Sequence, residues 1–394
     1  MSEARAECDS VCEARPDVAP LACSAVLTHH WLVRRRGGER VLEALRELVP
    51  RSPIFTLVHD PRGLASASDA EAMSWWGERS IRVETSILQR FPGARRHYPK
   101  LLPLMPWAAR RMHLPDVDLV VCSDAALAKA MTPSDRSRVV CYCHSPMRYV
   151  WDLREVYRAQ VPRPLRLLWD TISSRVRKAD RRAARRVDHF VANSRHVAER
   201  IRRSYARESV VVHPPVDIPA TPSTARRESF YLCLGQHVPY KRLDLAVDAC
   251  RVLGRELIVI GEGPDVRRLR RSSDPHIRFL GWQPRDVVSD NLRRARGLIF
   301  PGEEDFGIVP VEAMGHGCPV IAFGVGGVRD TVIDGHTGVL FDEQTVDSLV
   351  GAIERSEHVS FDAVALHAHA TRFSRGRFLR RMKAILEDAV NGVT

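Results

Sequence analysis

Short apolar runs alternate along the chain with longer stretches in which apolar residues recur every three or four positions. The runs fall at 24–28 (SAVLT), 118–122 (DLVVC), 138–143 (RVVCYC) and 189–192 (HFVA), then at 230–234 (FYLCL), 256–260 (ELIVI), 276–280 (HIRFL), 297–300 (GLIF) and 319–323 (PVIAF). Short continuous apolar runs are the pattern of strands buried on both faces. Helical patterns between most of them predict parallel α/β sheets. Residues 213–227, HPPVDIPATPSTARR, carry four prolines and no apolar periodicity, which predicts an extended linker. Two Rossmann-like domains are therefore expected, at 1–220 and 221–394, with the last helix crossing back. Ligands of such sheets sit at the carboxyl ends of the strands, here in a cleft between the two domains.

Length agrees: 394 residues exceed one typical core. The nine cysteines form no CxxC pair and no metal spacing. Cys141 and Cys143 alternate along one run and should share a buried face. An odd count without a signal-like start predicts reduced thiols and a cytoplasmic protein. The first twenty residues, polar and mixed in charge, read as a loose tail, and no apolar run reaches the length that spans a bilayer. Charge is unevenly placed. Residues 1–220 hold 37 Lys and Arg against 25 Asp and Glu, whereas residues 221–394 hold 23 of each. The whole net charge of +12 belongs to the first half, so an acidic partner would meet that half.

Candidate chemistry concentrates in PGEEDFGIVPVEAMGHG at 301–317. The pattern puts Glu304 in the loop after a strand and Glu312 one to two turns into the following helix. Pro310 suits a first helical turn and Gly317 a helix end. Free amides and a positive dipole end beside a carboxylate suit a nucleotide sugar, with amides at the diphosphate and carboxylates at hydroxyls. A surface connection with solvated acids fits the same pattern. Upstream, a turn at Gly235 leads into a helix expected near Lys241, with Leu243, Ala246, Val247 and Cys250 on one face. Lys241 and Arg242 then oppose the dipole of a first turn, a conflict that a bound diphosphate would remove. Neither Gly261-Glu262-Gly263 nor Gly324-Gly326-Gly327 completes a dinucleotide fingerprint, because Val266 and Arg329 stand at the third glycine position.

The 301–317 segment resembles the signature of the family-4 retaining glycosyltransferases, which have the GT-B fold. CYCHSPMRYVWDL at 141–153, TSILQRFPGARR at 85–96 and FYLCLGQHVPYKRLDL at 230–245 resemble the bacterial mannosyltransferases that build O-antigen and exopolysaccharide repeat units. The resemblance spans about Thr28 to Leu349. It implies retaining transfer of mannose from GDP-mannose to a polyprenyl-diphosphate-linked glycan, with a UDP-sugar donor as the alternative. It places Glu304, with Phe306, Gly307, Ile308 and Val309, at the donor sugar and Glu312 at the ribose. His144 takes the motif-histidine position beside the sugar. Gly37-Gly38 take the glycine-rich loop near the phosphates, and the nucleotide base lies near 261–263 and Trp282. Gln236 departs from the pattern, which has arginine there. Gln236 hydrogen-bonds a phosphate without neutralising it, and Arg242 compensates in charge. Catalysis is assigned to His144, Lys241 and Glu304, and substrate binding to Gly38, Gln236, Arg242, Gly263, residues 306–309 and Glu312.

No cofactor and no metal are expected. Asp116-Val117-Asp118 imitates the metal-binding DxD of the other large glycosyltransferase fold, but precedes its strand and reads as a turn and helix cap. Arg34-Arg35-Arg36 either contact phosphate or are solvated. Two basic stretches, 87–113 and 175–203, fit an anionic membrane interface and equally fit helices packed on their own domain with arginine outside. A peripheral location on the inner face of the cell membrane follows from the first. No basic-aromatic stacking motif is present, so nucleic acid is not an expected partner, though a basic nucleic-acid or membrane binder without transfer activity stands as a different class.

Overall fold

The computed structural model describes residues 18–64, 81–271 and 274–392. The polar tail expected at the start lies almost wholly outside them. The chain divides into two compact units. The N-terminal unit comprises 18–215 and 378–392, and the C-terminal unit comprises 216–377.

The N-terminal unit holds β1 (Ala25–His29), β2 (Ile54–Thr56), β3 (Val83–Thr85), β4 (Leu119–Asp124), β5 (Arg138–Cys143), β6 (His189–Ala192) and β7 (Val210–Val211). They form one parallel sheet in the order β3-β2-β1-β4-β5-β6-β7. Side chains alternate between its faces. Val120, Cys122, Cys141 and Cys143 enter one core with the Arg166–Ala184 and Arg195–Tyr205 helices. Leu119, Val121, Val140 and Tyr142 enter the other with the Gly37–Leu48 helix. That second core also receives Phe378, Leu379, Met382 and Leu386 of the Arg375–Asn391 helix. Cys141 and Cys143 thus share a buried face, as their alternation requires.

The C-terminal unit holds β8 (Tyr231–Leu234), β9 (Leu257–Ile260), β10 (Ile277–Gly281), β11 (Gly297–Phe300), β12 (Val320–Phe323) and β13 (Gly338–Phe341), all parallel, in the order β10-β9-β8-β11-β12-β13. The Leu243–Leu253 and Val346–Glu357 helices cover one face, and Leu243, Ala246, Val247 and Cys250 are buried there. The Ile308–Gly315 and Ala363–Ala370 helices cover the other. Nine strands match the apolar runs to within a residue or so. The other four, β2, β3, β7 and β13, were not legible as runs.

Two local readings are corrected. The 213–227 segment is extended, but Val216 and Ile218 are buried, and Val216 N–H donates to Phe373 O at 3.0 Å. This linker is therefore packed at its start. Asp116 and Asp118 cap no helix. The Asp118 carboxylate accepts from Ser24 N (3.0 Å) and Ser24 Oγ (2.6 Å), tying the chain ahead of β1 to that ahead of β4. No cluster suited to a metal occurs among the described residues.

Beneath β4, a fully buried ion triad fixes the loop. Lys129 Nζ lies 2.8 Å from Asp124 Oδ2 and 2.6 Å from Asp180 Oδ1. Asp124 Oδ1 accepts the amides of Ala126 and Ala128, and Asp180 Oδ2 accepts from Trp151 Nε1 and Tyr205 OH. The two carboxylates outweigh desolvation and hold the Lys129 ammonium well above its usual range. Burial opposes ionisation of Asp124, but Lys129 and the amides pull it down to about 2. Removing one partner of a buried ion pair leaves an uncompensated charge. Lys129→Met is therefore expected to lower unfolding free energy by about 3–5 kcal/mol. Urea unfolding followed by circular dichroism checks this, and an unshifted midpoint would show that the triad does not hold the unit.

Candidate functional site

Each unit gathers polar groups where its parallel strands end. In the C-terminal unit, β11 runs into Pro301-Gly302-Glu303-Glu304, and the Ile308–Gly315 helix follows. Lys241 Nζ lies 2.7 Å from Glu304 Oε1, with both side chains about one-fifth exposed. Two glycines allow this pairing. A Cβ on Gly302 would stand 2.6 Å from Lys241 Cα, so only glycine lets the two loops touch. Gly326, at φ +87°, bridges the backbone of Glu304, and a Cβ there would meet Glu304 O at 2.5 Å. Gly307 takes φ +84° at the helix start, ahead of the first-turn residues Ile308, Val309 and Pro310. The first-turn amides have no intrahelical acceptors and are available to an anion. Glu312 lies in the second turn, half-buried.

Several sequence expectations change here. The helix starts at Leu243 rather than near Lys241. Lys241 closes a 3-10 turn, Pro239–Lys241, and Arg242 is the N-cap in the left-handed region at φ 52°. The Arg242 guanidinium turns onto Asp244, at 3.0–3.2 Å. Asp244 therefore answers the dipole, and Arg242 is not poised to replace the charge missing at Gln236. Gln236 is exposed. Phe306 is 3% exposed and its ring packs tilted against Phe373, so its side chain serves the core rather than a donor. Gly263 precedes the short Pro264–Leu269 helix. A Cβ there would collide with His237 O, so the loop after β9 presses on the loop after β8. Gly261 N–H donates to Gly281 O at 2.7 Å, and Trp282 follows, 53% exposed. A group missed in the sequence is His237, which lines a small pocket with Lys241 and Glu304. Its Nε2 lies 3.0 Å from Ile260 O, which makes that nitrogen the donor and leaves Nδ1 an acceptor. Burial lowers its pKa to about 4.

In the N-terminal unit the strand ends collect His29, His30, Ser123 and His144. Ser123 Oγ lies 2.8 Å from His144 Nε2 and 3.0 Å from His29 Nδ1. The His29 and His30 rings are 4.2 Å apart, and each is 6.4 Å from His144. Asn193 Nδ2 donates to His144 O at 2.9 Å and fixes its backbone. Gly38, second residue of the Gly37–Leu48 helix, lies over the rings, since a Cβ there would sit 3.7 Å from His144 Nε2. Of the three arginines before it, Arg35 is neither solvated nor free for phosphate. It forms a two-pronged pair with Glu43, both contacts at 2.9 Å. Arg34 and Arg36 are exposed.

Much of the 141–153 segment braces the fold. Arg200 binds Ser145 Oγ at 2.8 Å and also pairs with Asp152, Arg177 donates to Val150 O, and Trp151 bonds Asp180. Arg177 and Arg181 also lie over the Trp151 ring, 4.9 and 5.2 Å from its centroid. In 175–203, therefore, Arg177 and Arg200 are withdrawn into the unit, while Arg175, Arg181, Arg182, Arg185 and Arg186 stay exposed. The 87–113 stretch is not one helix. It is a chain of short turns, Ile87–Arg90, Ala94–His97, Tyr98–Leu104 and Met105–Arg110.

Residues 35–219 match the family model described as Glycosyltransferase Family 4, and residues 228–356 match Glycosyl transferases group 1. The chain carries two glycosyltransferase domains. An uncharacterized glycosyltransferase of Methanocaldococcus jannaschii is 33% identical over 126 residues, 31% of this chain and 36% of that protein. A GDP-mannose-dependent alpha-(1-6)-phosphatidylinositol monomannoside mannosyltransferase of Mycolicibacterium smegmatis is 27% identical over 209 residues, 45% of this chain and 55% of that protein. These matches span between about a third and about half of the relatives' lengths. Among solved structures, Anabaena HepE in complex with UDP superposes with a TM-score of 0.65 at 16% identity, over 93% of this chain and 100% of that one. The fold is GT-B, with two parallel-sheet α/β domains.

The three clustered histidines make acid sensitivity a property of the N-terminal unit. Burial lowers His29, His30 and His144 from 6.5 to about 3, against smaller opposing effects of the Asp124 and Glu39 carboxylates. The unfolded chain binds their protons first, so stability is whole above pH 6.5 and is lost as pH falls towards 3. Three such groups set an upper slope of about 4 kcal/mol per pH unit. Urea midpoints at pH 7.5, 6.5 and 5.5 should fall together with proton uptake on unfolding. Equal midpoints would show that the histidines titrate normally.

Proposed function

We propose that this protein is a retaining glycosyltransferase that moves mannose from GDP-mannose to a glycan carried on a polyprenyl diphosphate. The observation that carries the reading is the Lys241–Glu304 pair beside the first turn of the Ile308–Gly315 helix, inside the region matched as a glycosyl transferases group 1 domain. The mycobacterial relative, which is named for GDP-mannose, supports the donor. In this reading Lys241 and the helix amides take the charge of the leaving diphosphate, and Glu304 holds the sugar. Glu312 holds the ribose, and His144 holds a hydroxyl of the sugar or acceptor. The bond from the sugar's anomeric carbon to phosphate breaks, the acceptor oxygen bonds that carbon on the same face, and a phosphate oxygen takes the acceptor proton.

Calorimetry with GDP-mannose, UDP-glucose and UDP-N-acetylglucosamine tests the donor, and tight binding of a UDP-sugar without GDP-mannose overturns it. Glu304→Gln keeps shape and removes the charge facing Lys241. It should lower turnover by orders of magnitude while GDP still binds, since hydrogen bonds to a charged acceptor contribute about 1.5–3 kcal/mol each. Glu312→Ala should weaken GDP binding instead. Normal turnover of folded Glu304→Gln removes that residue from the site.

A peripheral membrane position is part of the proposal. Ile87, Phe91, Leu104 and Trp107 are about two-fifths exposed, among exposed Arg95, Arg96, Lys100, Arg110 and Arg111. The Arg166–Ala184 helix, which packs against the Tyr98–Leu104 and Met105–Arg110 turns, exposes Leu167 and Leu168. Apolar side chains ringed by cations suit an anionic lipid surface, where each cation contributes about 1 kcal/mol. Replacing Arg95, Arg96, Arg110 and Arg111 by Gln should weaken flotation with phosphatidylserine vesicles and leave GDP binding intact. A wild-type chain that ignores such vesicles at low salt overturns the placement.

A further inference from the structure

The strand ends of the N-terminal unit hold a row of side chains that leads to His144, and the proposed transfer assigns its first three members no task. It begins at Glu39, whose Oε2 accepts the Arg36 amide at 2.9 Å. The other carboxyl oxygen, Oε1, stands 3.6 Å from His29 Nε2. His29 Nδ1 lies 3.0 Å from Ser123 Oγ, which lies 2.8 Å from His144 Nε2. Glu39, His29 and Ser123 are 4%, 0% and 0% exposed. His144 is partly exposed, and its Nδ1 has no hydrogen-bond partner among the described residues.

Donor and acceptor rules fix the direction of this row. Burial raises the Glu39 pKa, opposed by His30 and by the amides of Glu39 and Arg36, and in its ionised form the carboxylate only accepts. His29 Nε2 is buried and meets no other polar partner, so a lone pair there would face the carboxylate in a medium of low dielectric, whereas an N–H is attracted to it. His29 is neutral, since burial lowers its pKa to about 3. With the proton on Nε2, its Nδ1 is a bare acceptor and takes the Ser123 hydroxyl proton. The Ser123 oxygen then has only lone pairs for His144, whose Nε2 must donate. We propose that Glu39, His29 and Ser123 are positioning residues that hold His144 in the Nε2–H tautomer, so that its exposed Nδ1 accepts a hydrogen bond from a sugar hydroxyl. The owner of that hydroxyl rests on the proposed transfer reaction, whereas the tautomer does not.

A neutral imidazole favours Nε2–H on its own, so reversal is the decisive test. In Glu39→Gln the amide oxygen keeps the Arg36 N–H, and the amide NH2 faces His29 Nε2. Every link then reverses, and His144 carries its proton on Nδ1. Ring 15N NMR of the full chain labelled in histidine, without ligand at pH 7.5, reads this directly. The wild type should show His144 protonated on Nε2, Glu39→Gln on Nδ1, and Glu39→Gln with Ser123→Ala on Nε2 again, because the link is cut. An unchanged His144 in folded Glu39→Gln overturns the proposal. So does Nδ1–H in the wild type, which decides the matter even if the variant does not fold. With GDP-mannose, Glu39→Gln should raise the KM for donor or acceptor at least tenfold and leave GDP binding unchanged. A reversed tautomer with unchanged KM and kcat overturns the contact between His144 and the sugar. A chain that transfers no sugar while the tautomer reverses overturns the transfer reaction and leaves the positioning row standing.

Discussion

Burial of both faces of each parallel sheet constrains everything else in this protein. Leu119, Val121, Val140 and Ile299 fill the layers with apolar side chains, and the strands pair through backbone bonds. Polar chemistry is therefore displaced to the strand ends, where the chain must turn and amides lose their ladder partners. His144 follows β5, Ser123 and Asp124 end β4, and Glu304 follows β11. Within each unit the candidate site residues lie at strand ends because the fold permits few other places.

Charged groups at those ends are handled in two ways, and exposure decides which. Lys129, Asp124 and Asp180 are withdrawn from water, so each charge needs its partner and further hydrogen bonds. Such a cluster holds a loop in one geometry and is not available to a substrate. Lys241 and Glu304 keep about a fifth of their side-chain surface in water. Their attraction is weaker, and another polar group can replace it at modest cost. The same pairing of ammonium and carboxylate is a brace in one unit and an opening in the other.

Neighbouring residues of one motif likewise divide between chemistry and support. In 144–152, His144 presents a ring edge, while Ser145, Trp151 and Asp152 are bound to Arg200 and Asp180 of the helices behind them. Those bonds restrict where β5 ends and hence where His144 stands. Arg35, among three consecutive arginines, is bound to Glu43 in the same manner. Proximity in sequence to a functional residue thus carries little information about which way a side chain turns.

Local pattern determined the architecture. Strands with several consecutive apolar residues, such as β4, β5 and β11, must be buried on both faces, and the alternation of Cys141 and Cys143 fixed their common side. The glycine, proline and glutamate spacing at 301–317 likewise determined that Glu304 precedes a helix and Glu312 lies within it. Strands of two or three residues, β2, β3 and β7, carry too few positions for a period, and their neighbours in the sheet make them strands. The Leu243–Leu253 helix starts two residues later than the pattern predicts, after a left-handed turn at Arg242, whose guanidinium contacts Asp244 and Gln344. Only tertiary structure decided the long-range pairs: Lys129 with Asp180, Lys241 with Glu304, and Glu39 and His29 with Ser123 and His144. Their members lie between ten and about a hundred positions apart, and the sequence records each residue's chemistry but not which distant residue the fold will place against it.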